Sequence, residues 1–190
     1  MSKNNKQSLC DINNSCLMII DIQEKLSAVM PEKVINRLKT NANILLTAAN
    51  KLNIPIIATI QYPKGLGRIE GYIQEKLTDK SKIFEKTSFS GAKADGLLDY
   101  VEKLNRKQVI LIGLESHICV LQTALEFIEL GYEVFVVSDA IASRKLTSYE
   151  TALTRLEQGD VWLLNTESVL FEWLRDAAHP EFKSLSKLIH

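Results

Sequence analysis

Short, unbroken apolar runs recur along this chain, and each is followed by a stretch with helical spacing. The runs are Cys16-Leu17-Met18-Ile19-Ile20, Ile56-Ile57-Ala58-Thr59-Ile60, Val109-Ile110-Leu111-Ile112, Val134-Phe135-Val136-Val137 and Val161-Trp162-Leu163-Leu164, with Lys82-Ile83-Phe84-Glu85 a shorter candidate. A strand with one wet face alternates apolar and polar residues, so a continuous run indicates burial on both faces. Between the runs, Ile35, Leu38, Ala42, Leu45, Ala49 and Leu52 recur at spacings of three and four, as do Leu121, Ala124, Leu125 and Ile128, and Tyr149, Ala152, Leu153 and Leu156. Leu97, Val101 and Leu104 mark a helix over residues 92–104, and Val169, Leu170, Trp173 and Leu174 mark the last one. Strands alternating with helices predict an α/β fold whose parallel sheet is covered on both faces. No repeat or linker divides the 190 residues, so residues 15–190 are expected to form a single domain. The polar residues 1–14 are expected to be a flexible N-terminal segment.

Charge and cysteine content narrow the partners. Lys plus Arg and Asp plus Glu are balanced at 23 each, which removes any bulk attraction to nucleic acid or an anionic membrane and leaves a small molecule as the expected partner. The apolar runs are about a quarter of the length that crosses a bilayer. The chain's start is too polar for a signal peptide. Cysteines at 10, 16 and 119, without a C-x-x-C pair, suit a reducing compartment, and a cytoplasmic location is expected.

The helices of such a fold return the chain so that all strands end at one edge, where ligands bind. Asp21, Lys86 and Cys119 each follow an apolar run and so share that edge. Singly they have plain readings: Asp21 as a helix cap, Lys86 as a solvated surface residue, Cys119 as a small buried apolar side chain. Together they form an acid, a cation and a thiol, the set that nucleophilic catalysis on a carbonyl needs. Cys119 lies in Gly113-Leu114-Glu115-Ser116-His117-Ile118-Cys119-Val120-Leu121-Gln122-Thr123, at a predicted strand-to-helix turn. Unpaired N–H groups and the positive helix end are expected there to lower the thiol pKa and receive an oxyanion. His117, two residues earlier in a tight turn, is poorly aimed to be the base and is read as pocket wall. Residues 61–81 form a long loop with Tyr62-Pro63 and Gly65-Leu66-Gly67-Arg68, a candidate binding loop. Gly65, Gly67 and Gly71 do not keep the G-x-G-x-x-G spacing, so they read as turn glycines.

Asp21 with Gln23, Lys86 in Lys-Thr-Ser-Phe, the motif around Cys119, and Asp139-Ala140 with Ser143-Arg144 together resemble the isochorismatase-like cysteine hydrolases. The resemblance spans roughly residues 15 to 185. It implies a Rossmann-like three-layer α/β/α sandwich around a six-stranded parallel sheet, a homo-oligomer, and a catalytic triad of Asp21, Lys86 and Cys119. It also implies a cis peptide at Leu114–Glu115 that shapes an oxyanion hole. The cysteine favours the amidohydrolase branch over isochorismatases proper, which generally lack it. Nicotinamidases carry metal-ligating histidines in the loop after the second strand, whereas Gln61-Tyr62-Pro63-Lys64-Gly65-Leu66-Gly67 has none, so no metal and no cofactor are expected. With His179-Pro180-Glu181-Phe182-Lys183 as well, the chain looks most like the isochorismatase domain-containing subgroup. The expected reaction is hydrolysis of a C–N bond in a small amide through a thioester, with Gln23, Tyr62, Phe89 and His117 against the substrate. The alternative is a catalytically weak member that acts as a scaffold or interaction protein.

Overall fold

The computed structural model describes residues 8–189. Six strands, β1 (Ser15–Ile20), β2 (Ile56–Gln61), β3 (Lys82–Lys86), β4 (Gln108–Leu114), β5 (Glu133–Ala142) and β6 (Trp162–Leu164), form one sheet in the order β3-β2-β1-β4-β5-β6. All neighbouring pairs are parallel. The chain builds outward from β1 to β3, then crosses over and builds outward again from β4. The topological switch therefore falls between β1 and β4, where helices leave in opposite directions and a crevice opens beyond the strand ends.

The unbroken apolar runs are explained by two cores, one on each face. Leu17, Ile19, Ile110, Ile112 and Phe135 face α2 (Glu32–Lys51) and α8 (Thr166–Leu174). Cys16, Met18, Ile20, Val109, Leu111 and Val136 face α5 (Leu97–Lys103), α6 (Leu121–Glu129) and α7 (Leu146–Gln158). The architecture is the three-layer α/β/α sandwich expected. Successive strand residues point to opposite faces, so each central strand places apolar side chains in both cores. Short helices complete the chain: α1 (Glu24–Ser27), α3 (Pro63–Leu66), α4 (Gly71–Gln74) and α9 (Phe182–Ser186).

Four local readings differ from the sequence expectation. Residues 61–81 are not one open loop; α3 and α4 lie within them, and Ile69 bridges to Gln23. The helix expected over residues 92–104 is split into a 3-10 turn at Gly91–Lys93 and α5, with Gly96 in the left-handed region between them. Strand β5 runs to Ala142, five residues past the apolar run. Of the expected flexible segment 1–14, residues 1–7 lie outside the described residues, and residues 8–14 are docked. Glu172 accepts from the Cys10 N–H at 2.8 Å, Arg175 donates to the Cys10 carbonyl at 3.0 Å, and Gln108 accepts from the Asp11 N–H at 2.8 Å. These backbone-directed bonds replace the missing apolar signal.

Candidate active site

Asp21 directly follows β1, in the left-handed backbone region with φ 48°, and is fully buried. Its Oδ1 accepts from Thr59 Oγ1 at 2.7 Å and its Oδ2 from Lys86 Nζ at 2.6 Å. Thr59 pairs in register with Ile20, the residue before Asp21, so the sheet itself sets the first contact. Lys86 is the last residue of β3, in register with Gln61. Its ammonium also donates to Gln61 Oε1 at 2.7 Å and to the carbonyls of Phe89 at 3.0 Å and Ser88 at 3.2 Å. Neither side chain of the pair has any exposed surface. An isolated charge buried like this is strongly unfavourable; here each ion is paired and hydrogen-bonded as well.

Cys119 approaches from β4. Gly113 has φ 128°, and a Cβ there would stand 2.0 Å from the Ile20 carbonyl oxygen, so β1 and β4 come together at this point only with glycine. The Leu114–Glu115 peptide is cis. Ser116–Val120 then forms a π-helical turn, in which the Glu115 carbonyl accepts from Ile118 N–H at 3.0 Å and Val120 N–H at 3.3 Å. Thr123 Oγ1 donates to the Cys119 carbonyl at 2.6 Å and accepts from Gly91 N–H at 2.8 Å, bracing the turn against the 3-10 segment. Cys119 is 6% exposed.

The electrostatics of the thiol differ from the expectation. Burial, followed by the neighbouring Asp21 carboxylate, pushes the Cys119 pKa up to about 12. Lys86 and the Glu115 backbone N–H pull in the opposite direction without offsetting those effects. Cys119 lies inside a wide turn next to a carboxylate, and α6 begins only at Leu121, so the helix end does not govern it. Its pKa raised, the thiol rests protonated beside the Asp21 carboxylate, a group able to take its proton.

The structure therefore gathers Asp21, Lys86 and Cys119 at the carboxyl edge, beside the switch between β1 and β4. The expected substrate contacts are more dispersed. Gln23 is fully buried, its amide nitrogen donating to the carbonyls of Gln61 at 3.0 Å and Gly67 at 2.9 Å while its oxygen accepts from Gln61 N–H at 2.7 Å. No free polar group of Gln23 remains for a substrate; the side chain ties α1 to the 61–67 segment. Tyr62 borders a cavity of about 360 Å³ together with Lys86, Thr87 and Ser88. Phe89 is half exposed, and it is its carbonyl that holds Lys86. His117 Nδ1 is 2.9 Å from Ser143 Oγ, and the ring borders a separate cavity of about 260 Å³ with Arg144, Lys145 and Ser148. A cavity of about 520 Å³ at the start of β2, lined by Asn50, Pro55, Asp79 and Tyr100 among others, contains none of these residues.

Sequence reasoning missed Thr59 and Gln61, although a threonine inside an otherwise apolar strand run was a usable signal. It also left Asp139 and Arg144 without roles. Asp139 Oδ1 accepts from Thr166 N–H at 2.9 Å and Thr166 Oγ1 at 2.8 Å, anchoring the start of α8. Arg144 pairs with Glu115 at 3.1 Å.

The model of the isochorismatase domain family matches residues 15–168. This chain belongs to the isochorismatase family. Isochorismatase family protein 1B of Dictyostelium discoideum is 37% identical over 175 residues, covering 90% of this chain and 84% of that protein. Isochorismatase domain-containing protein 2 of Danio rerio is 39% identical over 175 residues, covering 92% and 86%. A Caenorhabditis elegans structure described as MAR1 ribonuclease superposes with a TM-score of 0.89 at 36% identity, covering 96% of this chain and 92% of that one. Family membership makes this protein an isochorismatase-like cysteine hydrolase. Among the described residues no group of three or more His, Cys, Asp or Glu side chains is placed to hold a metal ion. No described helix is long and apolar enough to cross a membrane.

Proposed function

We propose that this isochorismatase-family protein hydrolyses a C–N bond in a small amide, with Cys119 as nucleophile, Asp21 as general base and Lys86 as their electrostatic partner. The observation that carries this reading is the buried Lys86–Asp21 pair at 2.6 Å, with the Cys119 thiol close enough to the same carboxylate for it to raise the thiol pKa. A carboxylate this enclosed is a poor structural choice, and beside a thiol it is a base placed to take the proton.

In the first step Asp21 takes the thiol proton as the sulfur forms a bond to the amide carbon, and the carbonyl π electrons move onto oxygen. The backbone N–H groups of Glu115 and Cys119 receive that oxyanion. The C–N bond then breaks while Asp21 returns the proton to the departing nitrogen, leaving a thioester and an amine. Water attacks the thioester as Asp21 takes its proton. Collapse releases the carboxylic acid, and the proton returns to sulfur. Lys86 stays protonated throughout and holds Asp21 in place. A high resting thiol pKa fits this sequence, because the proton leaves only when the electrophile arrives.

Tyr62, Phe89 and His117 would border the substrate. The reaction is read as needing neither metal nor cofactor, in a single domain over residues 15–190 that forms a homo-oligomer in the cytoplasm. The ribonuclease description of the worm structure belongs to that protein; the balanced charge of this chain gives RNA no electrostatic advantage. The test is turnover of an amide panel by wild type and Cys119→Ala. The proposal expects Cys119→Ala to lose activity on every amide the wild type cleaves, and full retention on any of them refutes the assignment.

A further inference from the structure

Glu115 makes two kinds of contact at the nucleophile turn. Its backbone carbonyl accepts from the N–H groups of Ile118 at 3.0 Å and Val120 at 3.3 Å, closing the turn that carries Cys119. Its carboxylate is turned away from solvent, with 7% of the side chain exposed, and Oε2 accepts from both the backbone N–H and Nε of Arg144, each at 3.1 Å. The ladder between β4 and β5 ends at the pair Leu114 and Ala142. Glu115 is the next residue on one side, and Arg144 lies two residues on along the other. The side-chain contact thus continues the link between the two strands past the point where backbone pairing stops.

Two donors converging on one oxygen fix an orientation that a single contact would leave free. Charge alone does not account for the arrangement, because the Arg144 side chain is 56% exposed and solvent screens such a pair to little net stability. The useful product is geometric: the peptide group of Glu115 is held from its side chain.

We propose that the Glu115 carboxylate and Arg144 are positioning residues, a latch that holds the Glu115 peptide at the head of the turn carrying Cys119 and aims its N–H at the oxyanion that forms beside the sulfur. This rests on reading Cys119 as the nucleophile. The latch touches neither substrate nor reacting atoms, and Arg144 acts only through Glu115.

The test is the rate at which iodoacetamide alkylates Cys119 at pH 8, followed by peptide mass spectrometry in wild type, Glu115→Ala, Glu115→Gln and Arg144→Ala, with urea midpoints measured alongside. Losing a hydrogen-bonded position of this kind predicts alkylation about tenfold slower in Glu115→Ala and about threefold slower in Arg144→Ala. Glu115→Gln, whose amide oxygen keeps both contacts, restores most of the rate. If the carboxylate acted through its charge instead, Glu115→Ala and Glu115→Gln would both alkylate faster, and the latch is overturned. Wild-type rates in Glu115→Ala and Arg144→Ala overturn it too, leaving the nucleophile intact. Should Glu115→Ala not fold, Arg144→Ala decides the matter, since it removes a half-exposed side chain. A wild-type Cys119 that resists alkylation overturns the nucleophile reading and the latch together.

Discussion

Replacing Lys86 with methionine removes the ammonium and keeps most of the stem. In the native protein that ammonium offers three hydrogens to the Asp21 carboxylate, Gln61 Oε1 and the carbonyls of Ser88 and Phe89. After the change, the Asp21 carboxylate keeps the Thr59 hydroxyl as its one hydrogen-bond donor among the described residues, and its charge has no counter-ion in a site without exposed surface. Breaking a buried pair from one side costs about 3–5 kcal/mol. That is a large part of the roughly 5–15 kcal/mol that holds a typical domain folded. With an m-value of about 2 kcal/mol per molar urea, the unfolding midpoint should fall by about 1.5–2.5 M. The double variant Asp21→Asn with Lys86→Met should recover much of the loss, because the orphaned charge disappears with its partner. Urea unfolding followed by circular dichroism on the four proteins of the cycle measures both numbers. A loss below about 1 kcal/mol in Lys86→Met, or no recovery in the double variant, would show that the pair is not the buried, mutually dependent unit described here.

Three further outcomes follow from local geometry. Gly113→Ala places a methyl 2.0 Å from the Ile20 carbonyl oxygen at φ 128°, so a loss of about 3 kcal/mol or more is expected in urea unfolding. Gln23→Leu strips the backbone of Gln61 and Gly67 of three hydrogen-bond contacts; it should lower stability by about 3 kcal/mol and expose the 61–70 segment to limited proteolysis. All three cysteines are buried thiols, and burial raises the pKa of Cys10 and takes Cys16 to about 12. Cys10 and Cys16 have no exposed surface, whereas Cys119 keeps 6% and has the Asp21 carboxylate beside it to take its proton, so in the folded protein Cys10 and Cys16 should stay unlabelled by iodoacetamide from pH 7 to 9, reacting only once urea is added.

The central strands were legible because burial on both faces demands unbroken apolar runs, and β1, β2 and β4 supply them. Strand β3 gave a weaker signal, since as an edge strand it leaves Lys82 and Ile83 exposed. Half of β5 was unreadable because Ser138 and Asp139 interrupt its apolar pattern while serving long-range bonds to Leu164 and Thr166. Strand order left no local trace, so the switch between β1 and β4 emerged only in three dimensions. The same separation explains the site. Asp21, Lys86 and Cys119 could be placed on one edge from the pattern of strand ends, but Thr59, Gln61 and the Glu115–Arg144 contact depend on register across strands. The thiol's environment was misjudged for a related reason. A π-helical turn and an α-helix start look alike in sequence, and only the fold reveals that a buried carboxylate, not a helix dipole, faces the sulfur.

The claim at the centre of this account is that Cys119 attacks carbonyl carbon with Asp21 as its base. Rapid-quench intact-mass spectrometry of the protein mixed with a panel of small amides tests it most directly. The account predicts an added acyl mass that maps to Cys119, forms in the wild type, and accumulates far more slowly in Asp21→Asn. Turnover of an amide with no acyl mass on Cys119, or an adduct that forms as fast in Asp21→Asn as in the wild type, would contradict it.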